Sequence, residues 1–136
     1  MSKISGKCYC GEIQYEVENA PIMRVQCHCR ECQYMTGGNA NFAITMPEEG
    51  FVYIKGTPKQ FIHPDGDKEV CREFCGTCGT HITANLPSLI GAVILKVGTL
   101  DDPSIFNKPD IAIYLKDKYD FHQVPVDVPQ FQELPE

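Results

Sequence analysis

Apolar and polar residues alternate along much of the chain, the pattern of half-buried β-strands. In residues 13–17 (Ile-Gln-Tyr-Glu-Val) every second residue is apolar, so one side of an extended strand would face the core and the other water. The same pattern predicts strands over residues 41–46, 51–55, 60–63, 70–74 and 80–85. The more continuously apolar segments 92–97 and 110–115 are typical of buried strands.

Turn signals and one short helix complete the predicted architecture. The helix is predicted over residues 30–35, and Gly37 and Gly38 end it. Segments rich in Pro, Gly and acidic residues predict turns at 47–50, 56–58, 64–67 and 101–103. Three prolines in residues 124–136 predict an extended surface tail. We therefore expect an all-β fold of short antiparallel strands, forming a single domain over residues 1–136.

Composition and charge narrow the classes of partner. The 136 residues are 43% apolar and 22% charged, as in an ordinary globular domain. The net charge is −6 and no basic cluster interrupts the acidity, which argues against direct nucleic-acid binding. No uninterrupted apolar run reaches the roughly 20 residues that a membrane helix needs. The first residues show no apolar run after their lysines, so we expect no secretory signal and a cytoplasmic location.

Eight cysteines dominate the candidate chemistry. They form a C-x-C pair, a C-x-C-x-x-C group, one isolated residue and a C-x-x-C pair, at Cys8, Cys10, Cys27, Cys29, Cys32, Cys71, Cys75 and Cys78. Disulfides are the alternative interpretation of an even count. Cysteines one or two residues apart, in a chain expected to stay in a reducing compartment, favour metal binding instead.

Two of these groups together can complete a four-thiolate metal site. Sulfurs on one zinc ion lie about 3.8 Å apart, and a tight turn brings two cysteines that close. Gly11, Gly76 and Gly79 are expected to adopt the positive φ that such turns require. Cys8 and Cys10 with Cys75 and Cys78 would then form a closed, structural zinc site, whose binding energy is folding energy.

Cys27, Cys29 and Cys32 remain for a second ion. Three protein ligands and one exchangeable position are typical of catalytic zinc. The alternative is a fourth protein ligand, taken from His28, His63, His81, His122 or Cys71. His28 is expected to point away from the ion that its neighbours share. Cys71 is most simply a small buried side chain, although a place at the second metal and a redox role stay open.

The cysteine motifs resemble those of the glutathione-dependent formaldehyde-activating enzyme family, which includes centromere protein V. The resemblance rests on Gly6–Val17 (GKCYCGEIQYEV), on Cys27–Cys32 (CHCREC) and on Phe74–Thr80 (FCGTCGT). It implies a β-tent fold with two zinc ions per chain, structural at Cys8, Cys10, Cys75 and Cys78 and catalytic at Cys27, Cys29 and Cys32. It also implies that formaldehyde is joined to the glutathione thiol, which is carbon–sulfur lyase chemistry.

We therefore expect a zinc-dependent lyase that adds a small, glutathione-like thiol to formaldehyde or a related electrophile. A zinc-stabilised binding or scaffold module without catalysis is the main alternative, and electron transfer through a thiolate-bound iron centre is a third. An anionic thiol would need local positive charge, for which Arg24, Arg30, Lys59 and Arg72 are candidates. The catalytic base and the physiological substrate stay unassigned, and a homo-oligomer stays open.

Overall fold

The fold is mostly β, with one short α-helix in the part of the chain described. The structure is a computed structural model that describes residues 3–64 and 69–135. The elements within these ranges are β1 (Ile4–Lys7), β2 (Gln14–Val17), β3 (Met23–Cys27), α1 (Arg30–Thr36), β4 (Asn41–Pro47), β5 (Phe51–Lys55), β6 (Lys59–Ile62), β7 (Cys71–Phe74), β8 (His81–Asn85), β9 (Ala92–Lys96) and β10 (Ile111–Ile113). Short 3-10 turns cover Val97–Thr99, Pro103–Phe106 and Leu115–Asp117.

The predicted fold class is confirmed, and every predicted strand overlaps an observed one. The helix begins at Arg30 as expected and ends one residue later than predicted, at Thr36. Two strands were missed: β1 contains a single apolar residue, Ile4, and β3 leads into a cysteine motif that predicted only a turn. The predicted turn at 64–67 lies, apart from Pro64, outside the described residues.

The strands form two sheets. The smaller has the order β1-β2-β5, and the larger has the order β10-β3-β4-β9-β8-β7-β6. All pairs are antiparallel except β10 with β3, which run parallel with Ile113 opposite Cys27. The expectation of antiparallel strands alone is therefore wrong at this edge. The reason is topological: after β9 the chain passes through two 3-10 turns and returns beyond β3 in the same direction as β3.

The core lies between the two sheets. Tyr15 and Val17 of β2 are fully buried, as the alternation predicts, and belong to the same apolar cluster as Ile44 of β4 and Leu95 of β9. The Tyr15 hydroxyl lies 2.8 Å from Thr99 Oγ1, so its polar end has a partner.

Gly6 of β1 occupies a position where only glycine fits. A Cβ at this position would lie 2.2 Å from the Tyr15 hydroxyl oxygen and 2.4 Å from the Thr99 carbonyl oxygen. The close approach lets β1 cover the buried tyrosine.

The C-terminal tail packs against β10. Residues 124–135 contain no helix or strand element, as their prolines predict. However, the Ala112 N–H donates to the Pro129 carbonyl, and the Phe131 N–H donates to the Ala112 carbonyl. Val128 is buried. The tail thus covers the edge of the larger sheet, which would otherwise expose unpaired backbone groups.

The described residues contain no helix that is both long and apolar enough to span a membrane.

Candidate metal centres

The first cluster brings together two cysteine pairs that are far apart in the sequence. The sulfurs of Cys8, Cys10, Cys75 and Cys78 all lie within 4.8 Å of one another. Cys10 Sγ lies 3.6 Å from Cys8 Sγ and 3.7 Å from Cys75 Sγ. These separations match the roughly 3.8 Å edge of a tetrahedral zinc–thiolate site. The four side chains therefore fit a single metal ion.

Two tight turns hold these cysteines, and backbone N–H groups point at their sulfurs. In the turn after β1, the Ile13 N–H donates to Cys8 Sγ at 3.3 Å. In the turn after β7, the N–H groups of Thr77 and Cys78 donate to Cys75 Sγ at 3.4 and 3.5 Å. Such hydrogen bonds stabilise thiolates and orient them.

Thr80 joins the two turns. Its hydroxyl oxygen lies 3.1 Å from Cys78 Sγ and accepts the Tyr9 N–H at 3.1 Å. The second cysteine pair is thereby linked to the backbone of the first.

The glycines of these turns act in two ways. Gly11 and Gly79 have φ values of 83° and 81°, as expected for residues that reverse the chain. The same expectation for Gly76 is wrong, because its φ is not positive. A Cβ at Gly76 would lie 2.8 Å from Lys59 Cε, so a larger residue there would displace the flexible lysine side chain.

The thiol pKa values of Cys8, Cys10 and Cys78 are shifted in different directions. The Thr80 hydroxyl and backbone lower the pKa of Cys78 to about 5. Burial opposes ionisation of Cys8, but hydrogen bonds from Ile13 and the neighbouring cysteines lower its pKa. The pKa of Cys10 rises to about 12: a hydrogen bond from the Glu12 backbone favours its thiolate, but burial and the neighbouring cysteine sulfurs outweigh it. A divalent cation among these sulfurs would favour the thiolate form of all four.

The second cluster lies where β3 leads into α1. The sulfurs of Cys27, Cys29 and Cys32 lie within 4.8 Å of one another, and those of Cys29 and Cys32 are 3.0 Å apart. Cys27 ends the strand, and Cys29 caps the helix by accepting the Cys32 N–H at 3.3 Å. The sequence predicted a turn that leads into the helix; the structure shows that the first of the three cysteines lies on a strand.

Ionisation of this cluster is concentrated on Cys29. Hydrogen bonds from Cys27 and Cys32, with the charge of Arg72, lower the pKa of Cys29 to about 3. The hydrogen bond to Cys29 and burial raise the pKa of Cys27 to about 12. Hydrogen bonds with Cys27 and Cys29, together with burial, raise the pKa of Cys32. Like charges repel at this distance, so the three thiols do not ionise equally.

No fourth protein ligand joins the three sulfurs. Among residues 3–64 and 69–135, neither a histidine nor a carboxylate nor Cys71 belongs to the cluster. Cys71 is half-buried on β7, not fully buried as expected, and burial raises its pKa. The described part of the chain therefore offers three ligands at this centre.

His28 points away from the ligands on either side of it, as expected. It is fully buried, and its Nε2 lies 3.0 Å from Gln26 Nε2, which also donates to the Gln123 carbonyl at 2.7 Å. His28 Nε2 must accept from this amide, so the ring proton is on Nδ1. The ring packs edge-on against His122 at 5.2 Å.

The side chain of Gln33 holds the cysteine loop in place. This buried side chain donates from Nε2 to the His28 carbonyl at 2.9 Å and to the Asp117 carbonyl at 3.0 Å. It connects the loop to the 3-10 turn near the C-terminus. Gln33 was not predicted from the sequence, where its only signal is an amide inside the predicted helix.

The candidate cations have separate locations. Arg30 and Lys59 are exposed, and Arg24 donates to the Ile105 carbonyl. Arg72 is 7% exposed and lowers the pKa of Cys29 by its charge. Lys96 was not predicted as a site residue. Burial lowers the pKa of its ammonium group, and the charges of the three-cysteine cluster partly oppose this effect. Its signal was a lysine inside a predicted buried strand.

Two surface grooves lie away from the cysteines. One of about 570 Å³ is lined by Phe42, Val97, Gly98, Pro103, Ser104, Phe106 and Asn107. A second, of about 330 Å³, is lined by Glu48, Phe51, Val52, Tyr53, Glu73, Asn85 and Val93. Neither includes a cysteine, so the metal centres are the better candidates for chemistry.

Comparisons with known proteins agree with this geometry. A family model described as "Glutathione-dependent formaldehyde-activating enzyme" matches residues 3–117. The crystal structure of a Rhodobacter sphaeroides protein is similar in fold, with a TM-score of 0.63 at 22% identity, and the match covers 77% of this chain and 96% of that one. No curated protein matches significantly. The family match spans both cysteine clusters, and the chain therefore belongs to the glutathione-dependent formaldehyde-activating enzyme family.

Proposed function

We propose that the protein is a zinc-dependent carbon–sulfur lyase that adds a small, glutathione-like thiol to formaldehyde or a related small electrophile. In this proposal Cys8, Cys10, Cys75 and Cys78 hold a structural zinc ion, and Cys27, Cys29 and Cys32 hold a catalytic one. The observation that carries it is the unequal number of ligands: four sulfurs in one cluster, and three in the other with no fourth protein ligand among the described residues. The name of the family supplies the two substrates, glutathione and formaldehyde.

The addition needs no redox partner. The thiol sulfur attacks the carbonyl carbon, an S–C bond forms, and the π bond of the carbonyl breaks. The thiol proton ends on the new hydroxyl group, so atoms and electrons balance. A zinc ion, when bound, would supply Lewis-acid chemistry that lowers a thiol pKa and polarises a carbonyl.

The chain's own residues prepare the site for this chemistry. Hydrogen bonds from Cys27 and Cys32 keep Cys29 ionised, so one ligand is ready for a cation without loss of a proton. Gln33 holds the ligand loop rigid through two backbone carbonyls. Fixed ligands reduce the reorganisation that the reaction would otherwise require.

A matched pair of cysteine variants tests the proposal. The rate at which ¹³C-formaldehyde exchanges with its glutathione adduct can be measured by NMR exchange spectroscopy, with and without protein. We expect the wild type to accelerate exchange, Cys29→Ser to lose the acceleration, and Cys71→Ser to keep it, because Cys71 lies in neither cluster. Equal exchange with and without wild-type protein would contradict catalysis and favour the scaffold alternative.

The metal is tested separately. Emission spectrometry of the purified protein should find two zinc ions per chain, and one per chain in Cys29→Ser. Iron in place of zinc would favour the electron-transfer alternative.

A further inference from the structure

Two cations share the sheet face on which the three-cysteine centre lies, although they come from distant parts of the sequence. On β4, Asn41 pairs with Cys27, and Ala43, two residues on, pairs with Lys96 of β9. Residues two apart point to the same face of a strand. The register therefore places Lys96 on the face that carries Cys27.

The same register brings Arg72 to this face. Ile94, two residues before Lys96, pairs with Ala84 of β8, and Ala84 pairs with Arg72 of β7. Ala84 lies on β8, between the strands that carry Arg72 and Lys96, and Ala43 lies on β4, between the strands that carry Lys96 and Cys27. The guanidinium reaches α1, where its Nη2 lies 3.8 Å from Glu31 Oε1.

Neither cation is fully paired by the protein. Glu31 is largely exposed and too distant for a strong ion pair. It is the only acidic side chain that pairs with Arg72 among the described residues, and the charge of Arg72 also acts on Cys29. Lys96 Nζ donates to Asn41 Oδ1 at 3.0 Å. This amide oxygen is a neutral acceptor. Each nearby anion stabilises a buried guanidinium, so a second carboxylate beside Glu31 would be stabilised here.

We propose that Arg72 and Lys96 bind a carboxylate of the thiol substrate next to the three-cysteine centre, and so select anionic over neutral thiols. This inference rests on the function proposed above. The planar guanidinium has a fork of donors that suits a carboxylate, and a neighbouring ammonium adds a second charge. The sheet register places both cations on the face that carries Cys27, beside the centre at which the substrate thiol would react.

Two thiols that differ in one carboxylate provide the test. Calorimetric titration of the metal-loaded protein would compare glutathione with its glycine monoethyl ester. We expect the wild type to bind glutathione about tenfold to a hundredfold more tightly than the ester, the range for hydrogen bonds to charged groups. R72Q and K96Q should lose most of this preference, and R72K should keep part of it. K108Q removes an exposed lysine that pairs with Asp127, and should keep all of it.

The outcomes separate this inference from the proposed function. If R72Q and K96Q keep the full preference for glutathione, the inference is overturned, while the proposed function stands provided that C29S abolishes thiol binding. If the variants instead lose metal, as measured by emission spectrometry, the cations serve the thiolates and the inference fails. If wild type and C29S bind glutathione equally, or neither binds it, both proposals fail. Circular dichroism checks folding, and K96Q, at a half-buried position, keeps the test decisive if R72Q does not fold.

Discussion

The two cysteine clusters use the same ligand type but are built differently. The four-cysteine cluster lies on two turns, and its Cys8 and Cys75 are almost fully buried while Cys10 is exposed. Its sulfurs receive hydrogen bonds mainly from backbone N–H groups of their own turns. Because it connects the ends of β1 and β7, a metal ion here would join the two sheets.

The three-cysteine cluster lies within the larger sheet and the helix that follows β3. Its sulfurs come from six consecutive residues, so a metal ion there would close only a short loop. Its surroundings include Arg72 and Lys96 from distant strands and Gln33 from the helix itself. The four-cysteine cluster can therefore stabilise the fold, whereas the three-cysteine cluster can be altered without separating the sheets.

Cys75→Ser should have the largest effect. The variant removes a ligand from the cluster that joins the sheets, and structural zinc contributes on the order of 10 kcal/mol to folding. We expect loss of cooperative thermal unfolding by circular dichroism and release of metal. Cys71→Ser, at the start of the strand that precedes Cys75, should melt like wild type. A Cys75→Ser protein with the wild-type melting temperature would show that the first cluster is not structural.

Cys29→Ser should separate activity from stability. Mutation of a residue that hydrogen-bonds to a metal ligand typically lowers activity about 10- to 100-fold. Mutation of a ligand itself should therefore lower activity about a hundredfold or more. We expect this loss in the formaldehyde exchange rate, with a melting temperature within a few degrees of wild type. Unfolding comparable to that of Cys75→Ser would remove the distinction between the clusters.

A mild chelator should remove the two ions in order. Three protein ligands hold an ion less firmly than four, and the three-cysteine centre leaves it accessible to a competing ligand. Metal release, followed with a coloured zinc indicator, should occur in two steps of one ion each, and circular dichroism should change only in the second. A single step with simultaneous unfolding would contradict the assignment.

The smallest effects distinguish the supports of the two clusters. Gln33→Ala leaves the buried His28 and Asp117 carbonyls without their donor, and should cost about 1–3 kcal/mol. Thr80→Val removes a hydroxyl from the more exposed first cluster, and should cost about 1 kcal/mol. Urea unfolding measures both. A larger loss for Thr80→Val would reverse the expected ranking.

Local patterns predicted most of the strands because alternation depends only on nearest neighbours. The segment 13–17 and the short helix at Arg30 were predicted for this reason. β1 was missed, since Gly6 serves a close approach to Tyr15 that no local pattern reveals. The parallel pairing of β10 with β3 was also missed, because strand order is a property of the whole chain.

The amino-acid sequence by itself determined which cysteines group together. Cysteines two or three residues apart are near each other in any compact conformation, so the two pairs and the group at Cys27–Cys32 could be predicted from their spacing, and the need of each pair for two more ligands predicted that the pairs combine. Only the tertiary structure decided that no described histidine completes the second cluster, and that Arg72 and Lys96 share its face. Those relations join strands distant in the sequence, and they follow from sheet register, which local residue patterns do not encode.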